Sequence, residues 1–178
     1  MTLPTPIHLL PTAQELCALL DYDPDTGVLT WRVARGSNAP AGGVAGCDRG
    51  DGYRRIEIDG RRIYAHRIAW AISIGEWPVS QIDHVNGIRD DNRLANLREA
   101  THAENHQNRR RSQRNSKSGF LGVHFRKNVG KWQAGINIGR ERKYLGLFAT
   151  AELAHAAYLA AKADLHPFQT IANTNEKD

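Results

Sequence analysis

Three side chains near the middle of the 178-residue chain combine types and spacing that could do chemistry: Asp83, His84 and Asn105. An imidazole with its ordinary pKa of about 6.5 can take a proton from water near neutral pH, so His84 is a candidate general base. Asp83 and the amide oxygen of Asn105 are hard oxygen donors. Mg²⁺ typically takes one carboxylate together with neutral oxygens and water. A base that activates water, beside a cation that grips a phosphate and steadies the leaving oxygen, is what phosphodiester hydrolysis requires. The expectation is one divalent metal ion, Mg²⁺ by preference with Mn²⁺ as an alternative, and no small-molecule cofactor. Adjacent strand residues point to opposite faces. Asp83 and His84 can therefore serve one spot only at a distorted strand end, which the turn signal Asn86-Gly87 supplies.

The elements that must position these groups are readable around them. Ile82-Asp83-His84 is expected as a short strand, followed by a loop through Asp91-Asn92-Arg93 and then Leu94, Asn96 and Leu97. Thr101-His-Ala-Glu104 has the pattern of a capping box, so a helix starts there. That places Asn105 near a helix N-terminus, the end that favours phosphate. A hairpin carrying Asp-His followed by such a helix is a compact ββα site. Upstream, Thr12-Ala-Gln-Glu15 predicts another capped helix, with Asp21 to Gly27 as turn, Val28 to Arg32 as strand and Ala34 to Gly52 as loop. Arg54–Ile58 and Arg61–Ala65 flank Asp59-Gly60, a strong hairpin signal. His66 to Ile74 reads as a helix stopped by Gly75. His66 either faces the site or sits in the core, while Trp70 and Trp77 read as core. Arg54, Arg55, Arg61 and Arg62 either touch phosphate or block edge pairing.

The charge is unevenly distributed. Residues 1–108 hold 11 Arg, no Lys and 14 acids, a net of −3. Residues 109–117 carry +5 without an acid, residues 118–168 carry +4, and the tail carries −1. A polyanion held by the C-terminal half would produce this pattern, with Arg109, Arg110, Arg111, Arg114 and Lys117 as candidate backbone contacts. Cys17 and Cys47 lack any C-x-x-C partner, which argues against a zinc knuckle and fits a reducing compartment. Each reads as a small buried hydrophobe. No apolar run suits a membrane span, and Met1 to Leu10 lacks a basic signal-peptide start. A cytoplasmic protein is expected, as a monomer or weak dimer.

After the basic segment, Gly122–Arg126, Lys131–Ile138 and Arg142–Phe148 read as three antiparallel strands. Trp132, Ala134, Ile136 and Ile138 share one face of the middle strand. Thr150 caps a helix whose Ala154, Ala157, Tyr158 and Ala161 form one stripe. The helix covers one sheet face and leaves open the other, which holds Arg126, Asn137, Arg142 and Tyr144.

Two resemblances follow. The stretch His66-Arg67-Ile-Ala-Trp70, Glu76-Trp-Pro78, Ile82-Asp-His-Val-Asn-Gly87, Asp91-Asn-Arg-Leu-Ala-Asn-Leu-Arg98 and Glu104-Asn105 resembles phage-type HNH endonucleases, including homing nickases of mobile introns. The resemblance implies His84 as base and Asn96 as the residue that bonds the loop and orients His84. It implies Asp83 and Asn105 as metal ligands; His106, beside Asn105, is the alternative because the family often has His at this point. Phe120 to about Asp164 resembles the plant ethylene-response-factor (APETALA-type) DNA-binding domain, through Gly122-Val123, Gly130-Lys-Trp132-Gln-Ala134-Gly-Ile136, Lys143-Tyr-Leu-Gly146-Leu-Phe148 and Ala157-Tyr158. That family lays its sheet in the major groove, which implies base or phosphate contacts for Arg126, Asn137, Arg142 and Tyr144. Leu121, His124 and Gly135 stand where the plant family has Arg or Glu, implying a different target sequence.

The implied fold class is α+β: a ββα-metal (His-Me finger) HNH core plus a small three-stranded antiparallel sheet with one packed helix. The implied organisation is an N-terminal α+β region over 1–78, the HNH core over 79–110, a basic linker over 109–117, the ERF-type domain over 118–168 and a tail over 169–178. The implied partner is double-stranded DNA, and the implied activity is metal-dependent cleavage. The alternative is a sequence-specific DNA-binding regulator with an inactive nuclease half.

Overall fold

The computed structural model describes residues 10–108, 112, 116–139, 141–166 and 168. The described residues form an α+β arrangement of small antiparallel sheets and four α-helices, in two compact units. The first unit comprises Met1–His84 and Ile88–Glu99, and the second comprises Val85–Gly87 and Ala100–Asp178. Arg109, Arg110, Arg111 and Arg114 of the basic segment lie outside the described residues, as do the first residues of the chain and the tail from Gln169.

In the first unit, helix α1 (Ala13–Leu19) opens on the expected capping box: the Thr12 hydroxyl accepts from the Glu15 amide, and the Glu15 carboxylate accepts from the Thr12 amide at 2.7 Å. Strands β1 (Leu20–Tyr22) and β2 (Leu29–Trp31) then pair antiparallel. Asp21 and Tyr22, expected as turn, are strand. The turn begins at Asp23, whose carboxylate accepts from the Asp25 and Thr26 amides and the Thr26 hydroxyl. Gly27 closes it at φ +75°, and a Cβ there would stand 2.4 Å from the Arg93 backbone nitrogen. The β1–β2 turn thus lies directly against the loop through Asn92.

The expected loop from Ala34 to Gly52 contains a short strand, β3 (Cys47–Asp48), which pairs with β4 (Arg54–Ile58). Two-residue pairings of this kind carry no periodicity and are invisible in sequence. The hairpin from β4 to β5 (Arg61–Tyr64) turns at Asp59 and Gly60, both at positive φ, as a type I′ turn demands. Helix α2 (Ala65–Ile74) follows and is stopped by Gly75 at φ +91°. Leu16, Leu20, Leu29, Trp31, Ile56 and Ile68 anchor the core, and Trp70 and Trp77 pack against its margin. Strand β6 (Gln81–His84) pairs with β7 (Leu97–Ala100), the two being joined by a loop and a 3-10 turn at Leu94–Asn96. Ile82 and Leu97 insert into the same core, which fixes the hairpin to the unit. Cys17 is half-buried and Cys47 exposed, so neither is the buried hydrophobe expected.

In the second unit, α3 (His102–Gln107) starts on the second capping box, with Thr101 and Glu104 exchanging the same pair of hydrogen bonds. Strands β8 (Val123–Arg126), β9 (Lys131–Ile138) and β10 (Glu141–Phe148) form a sheet in the order β10-β9-β8, and α4 (Ala151–Leu165), capped by Thr150, packs on it. Val123, Ala134, Ala151 and Ala154 make the core. Gly122 lies under Tyr158, where a Cβ would come within 2.1 Å of the ring. The stripe on α4 departs from expectation: Ala151, Ala154, Tyr158 and Lys162 are buried, while Ala157 and Ala161 are only half-buried. Ile138, expected on the covered face of the strand, is exposed.

Candidate active site

Asp83 and His84 end strand β6 and are both nearly inaccessible, at 6% and 4% exposure. Burial of two polar side chains is tolerable only if they are hydrogen-bonded. The Asp83 carboxylate receives Arg98 from the paired strand β7: Nε and a terminal nitrogen reach the same oxygen, Oδ2, at 3.1 and 2.9 Å. The His84 Nε2 is 3.1 Å from Oδ1 of Asn92, itself 2% exposed. An amide oxygen only accepts, so Nε2 carries the hydrogen and the lone pair of the neutral ring resides on Nδ1. Burial is the main cause that pulls the His84 pKa below its ordinary value, against the opposing pull of Asn92 and of the Asp83, Asp91 and Asp90 carboxylates. The ring is accordingly in its basic form at neutral pH.

The Asn92 carbonyl accepts from the Tyr22 hydroxyl at 2.8 Å, which ties the loop to strand β1. Burial chiefly pushes the Tyr22 phenol up to about 12. Asn96 bonds within the same loop, its amide nitrogen donating to the Asp91 carbonyl at 2.7 Å. Asn96 thus has a loop-holding contact, and Asn92, not singled out in the sequence, is the side chain on His84 Nε2. A buried Asn inside a polar loop has no sequence signature that separates it from an exposed one, so nothing in the sequence pointed to it.

A second set of rings surrounds His84. His66, on the first turn of α2, is 7% exposed and meets the His84 ring edge-on at 5.0 Å. The two alternatives for His66 are therefore not exclusive: it is a core histidine and it borders His84. Burial, then the neighbouring His84 and Arg67, push its pKa down to about 3. Tyr64 stacks on His66 at 5.2 Å, and Tyr53 lies 5.5 Å from His66 and 6.0 Å from His84. The hairpin arginines are mostly ion-paired: Arg54 with Asp90, Arg55 with Asp51 and Arg62 with Glu57.

These buried Asp and His side chains, held by a polar loop between two short paired strands, lie in a stretch that is recognisable by comparison. Residues 63–107 match the HNH endonuclease family. The matched stretch, about a quarter of the chain, begins in β5 and ends with α3, and contains Asp83, His84, Asn92, Asn96 and Asn105. No curated protein and no solved structure matches the chain. The family points to a nuclease acting on DNA, and HNH nucleases generally depend on a divalent metal. Asn105 and His106 are on α3 in the second unit. Among the described residues, no three His, Cys, Asp or Glu side chains gather to hold a metal by themselves. The donor chemistry still fits a hard cation, because Mg²⁺ keeps waters and takes phosphate oxygens from its substrate.

In the second unit, Arg126, Asn137, Arg142 and Tyr144 lie on one sheet face and are all exposed, as is Lys117 before the sheet. Asn137 pairs directly with Arg142, and Tyr144 with Gly135. Gly135 has a physical role here: a Cβ would stand 3.0 Å from Arg142 Nε, so the glycine lets the guanidinium lie across the strand. His166 buttresses the same strand, its Nε2 donating to the Asn137 carbonyl at 2.7 Å. Among the described residues no helix is long and apolar enough to cross a membrane.

Proposed function

We propose that this chain is a metal-dependent, homing-type HNH DNA endonuclease directed to duplex DNA by its C-terminal sheet and basic segment. The observation that carries this reading is His84, buried within the stretch that matches the HNH family, with Nε2 engaged by Asn92 and the Asp83 carboxylate next to it in sequence. His84 takes a proton from water, and the water oxygen forms a bond to phosphorus in line with the departing 3′-oxygen. The P–O3′ bond breaks, the leaving oxygen takes a proton from solvent, and the products are a 5′-phosphate and a 3′-hydroxyl. Asp83 and Asn105 are the candidate metal ligands by donor type and sequence spacing, and His106 is the alternative to Asn105. A divalent metal, when bound, supplies charge neutralisation at the phosphate and the leaving oxygen. Arg98 orients the Asp83 carboxylate through Oδ2.

The DNA contacts proposed are Arg109, Arg110, Arg111, Arg114 and Lys117 to the backbone, and Arg126, Asn137, Arg142 and Tyr144 to bases or phosphates. An ERF-like placement of the sheet in the major groove rests on the exposed polar face and on the sequence resemblance. Supercoiled plasmid incubated with Mg²⁺ tests the activity. Nicked or linear product is expected from the wild type, none with excess chelator, and none from Asp83→Ala.

A further inference from the structure

We infer that Arg89, in the loop after β6, is a phosphate-backbone contact that fixes duplex DNA beside His84; the inference rests on the nuclease reading above. The first unit is rich in arginine, yet its arginines are mostly neutralised. Asp90 is taken by Arg54, Asp91 by Arg93 and the Asp51 carboxylate by Arg55. Arg89 precedes Asp90 and Asp91 in the chain and, among the described residues, has no carboxylate within ion-pair distance. It is nonetheless held in place: its terminal nitrogen donates to the Asp51 carbonyl at 2.7 Å, its guanidinium lies 4.9 Å over the Tyr53 ring, and its stem packs on Gly52. Gly52 is at φ +82°, which lets the loop turn under that stem.

A cation stacked on an aromatic ring keeps its charge while losing rotamer freedom, so binding a phosphate there costs less entropy. A guanidinium is also the group best matched to a phosphate, because its fork can bond two oxygens at once. The position is informative. Tyr53 is the ring 6.0 Å from His84, so Arg89 lies no further from His84 than that distance and the 4.9 Å stack together. With a scissile phosphate at His84, Arg89 reaches within about three base-pair steps at roughly 3.4 Å of rise each. In a unit whose overall charge opposes DNA, a fixed and uncompensated cation at this distance has a polyanion as its natural partner.

The test uses the full chain and a 30-base-pair duplex of mixed sequence, with binding measured by fluorescence anisotropy in EDTA across a salt series. Arg89→Gln is expected to lower the slope of log affinity against log salt by about 0.9, the value for a single neutralised phosphate. Arg89→Lys, which keeps the charge, is expected to restore that slope. Arg32→Gln, which removes an exposed arginine paired with Asp21 on another edge, leaves it unchanged. In Mg²⁺ cleavage assays Arg89→Gln raises KM several-fold with kcat little changed. An Arg89→Gln slope equal to wild type, in a variant that melts at the wild-type temperature, overturns the inference. An equal loss of slope in Arg32→Gln overturns it too, since the effect would then be overall charge. Absence of cleavage by the wild type with every divalent metal tested overturns the nuclease reading instead, and the EDTA slopes still decide whether Arg89 meets DNA.

Discussion

His84 illustrates how a residue acquires a role from its neighbours. Its tautomer is set by Asn92, so Asn92 is a positioning residue for the proposed base. Asn92→Leu removes the acceptor from Nε2. The expected effect on single-turnover cleavage is a loss of about 10²-fold, the low end of what a placed base contributes, with little change in KM. Asn92→Asp keeps an acceptor oxygen and should recover much of the rate, a rescue that a purely structural role would not give. Arg98 matters differently. Arg98→Gln leaves a buried carboxylate without its cation and should destabilise the fold by about 2 kcal/mol, read by urea unfolding. His66 makes a pH prediction. Its folded pKa of about 3 lies below the unfolded value of about 6.5, so the stability it contributes is complete above pH 6.5. That contribution is lost as pH falls toward 3, at up to about 1.4 kcal/mol per pH unit. His66→Phe should flatten the fall in stability between about pH 6 and pH 4 by close to one proton. An unaltered slope would mean that His66 is already protonated in the folded chain.

At the scale of elements, the local signals with a physical mechanism were legible. Both capping boxes, the Asp59-Gly60 hairpin and the Gly75 stop are each decided by a few neighbouring residues, and each stands where the sequence places it. What was not legible depends on partners distant in sequence. The strand Cys47–Asp48 exists only because β4 is beside it, and Lys162 is buried in a stripe that composition assigns to alanine. The candidate site divides the same way. Asp83, His84 and Asn105 were singled out by type and spacing and Asn96 by the family resemblance, whereas Asn92, Arg98 and Arg89 owe their places to packing across the paired strands and loop. Gly27 connects the two levels: its missing Cβ lets the β1–β2 turn lie against the backbone of Asn92 and Arg93. Gly27→Ala should cost about 1–3 kcal/mol from the left-handed backbone strain, and more from the clash. It should also reduce cleavage in the molecules that remain folded, because the displaced loop carries Asn92. Retained rate in a destabilised variant would uncouple the turn from His84.

At the scale of the whole molecule, the −3 of residues 1–108 and the +5 of residues 109–117 imply a division of labour in the proposed function. The HNH region would approach DNA against its own overall charge, so affinity should be supplied chiefly by the basic segment and the C-terminal sheet. Neutralising Arg109, Arg110 and Arg111 together should reduce the salt slope by roughly 0.9 for each phosphate that the segment no longer neutralises. An unchanged slope would remove the segment from the interface. Central to all of this is hydrolysis at His84, and plasmid cleavage tests it most directly. Wild-type protein with Mg²⁺ should convert supercoiled plasmid to nicked or linear product, and His84→Ala, folded to the same melting temperature, should leave it supercoiled. Cleavage by His84→Ala at the wild-type rate would contradict the account.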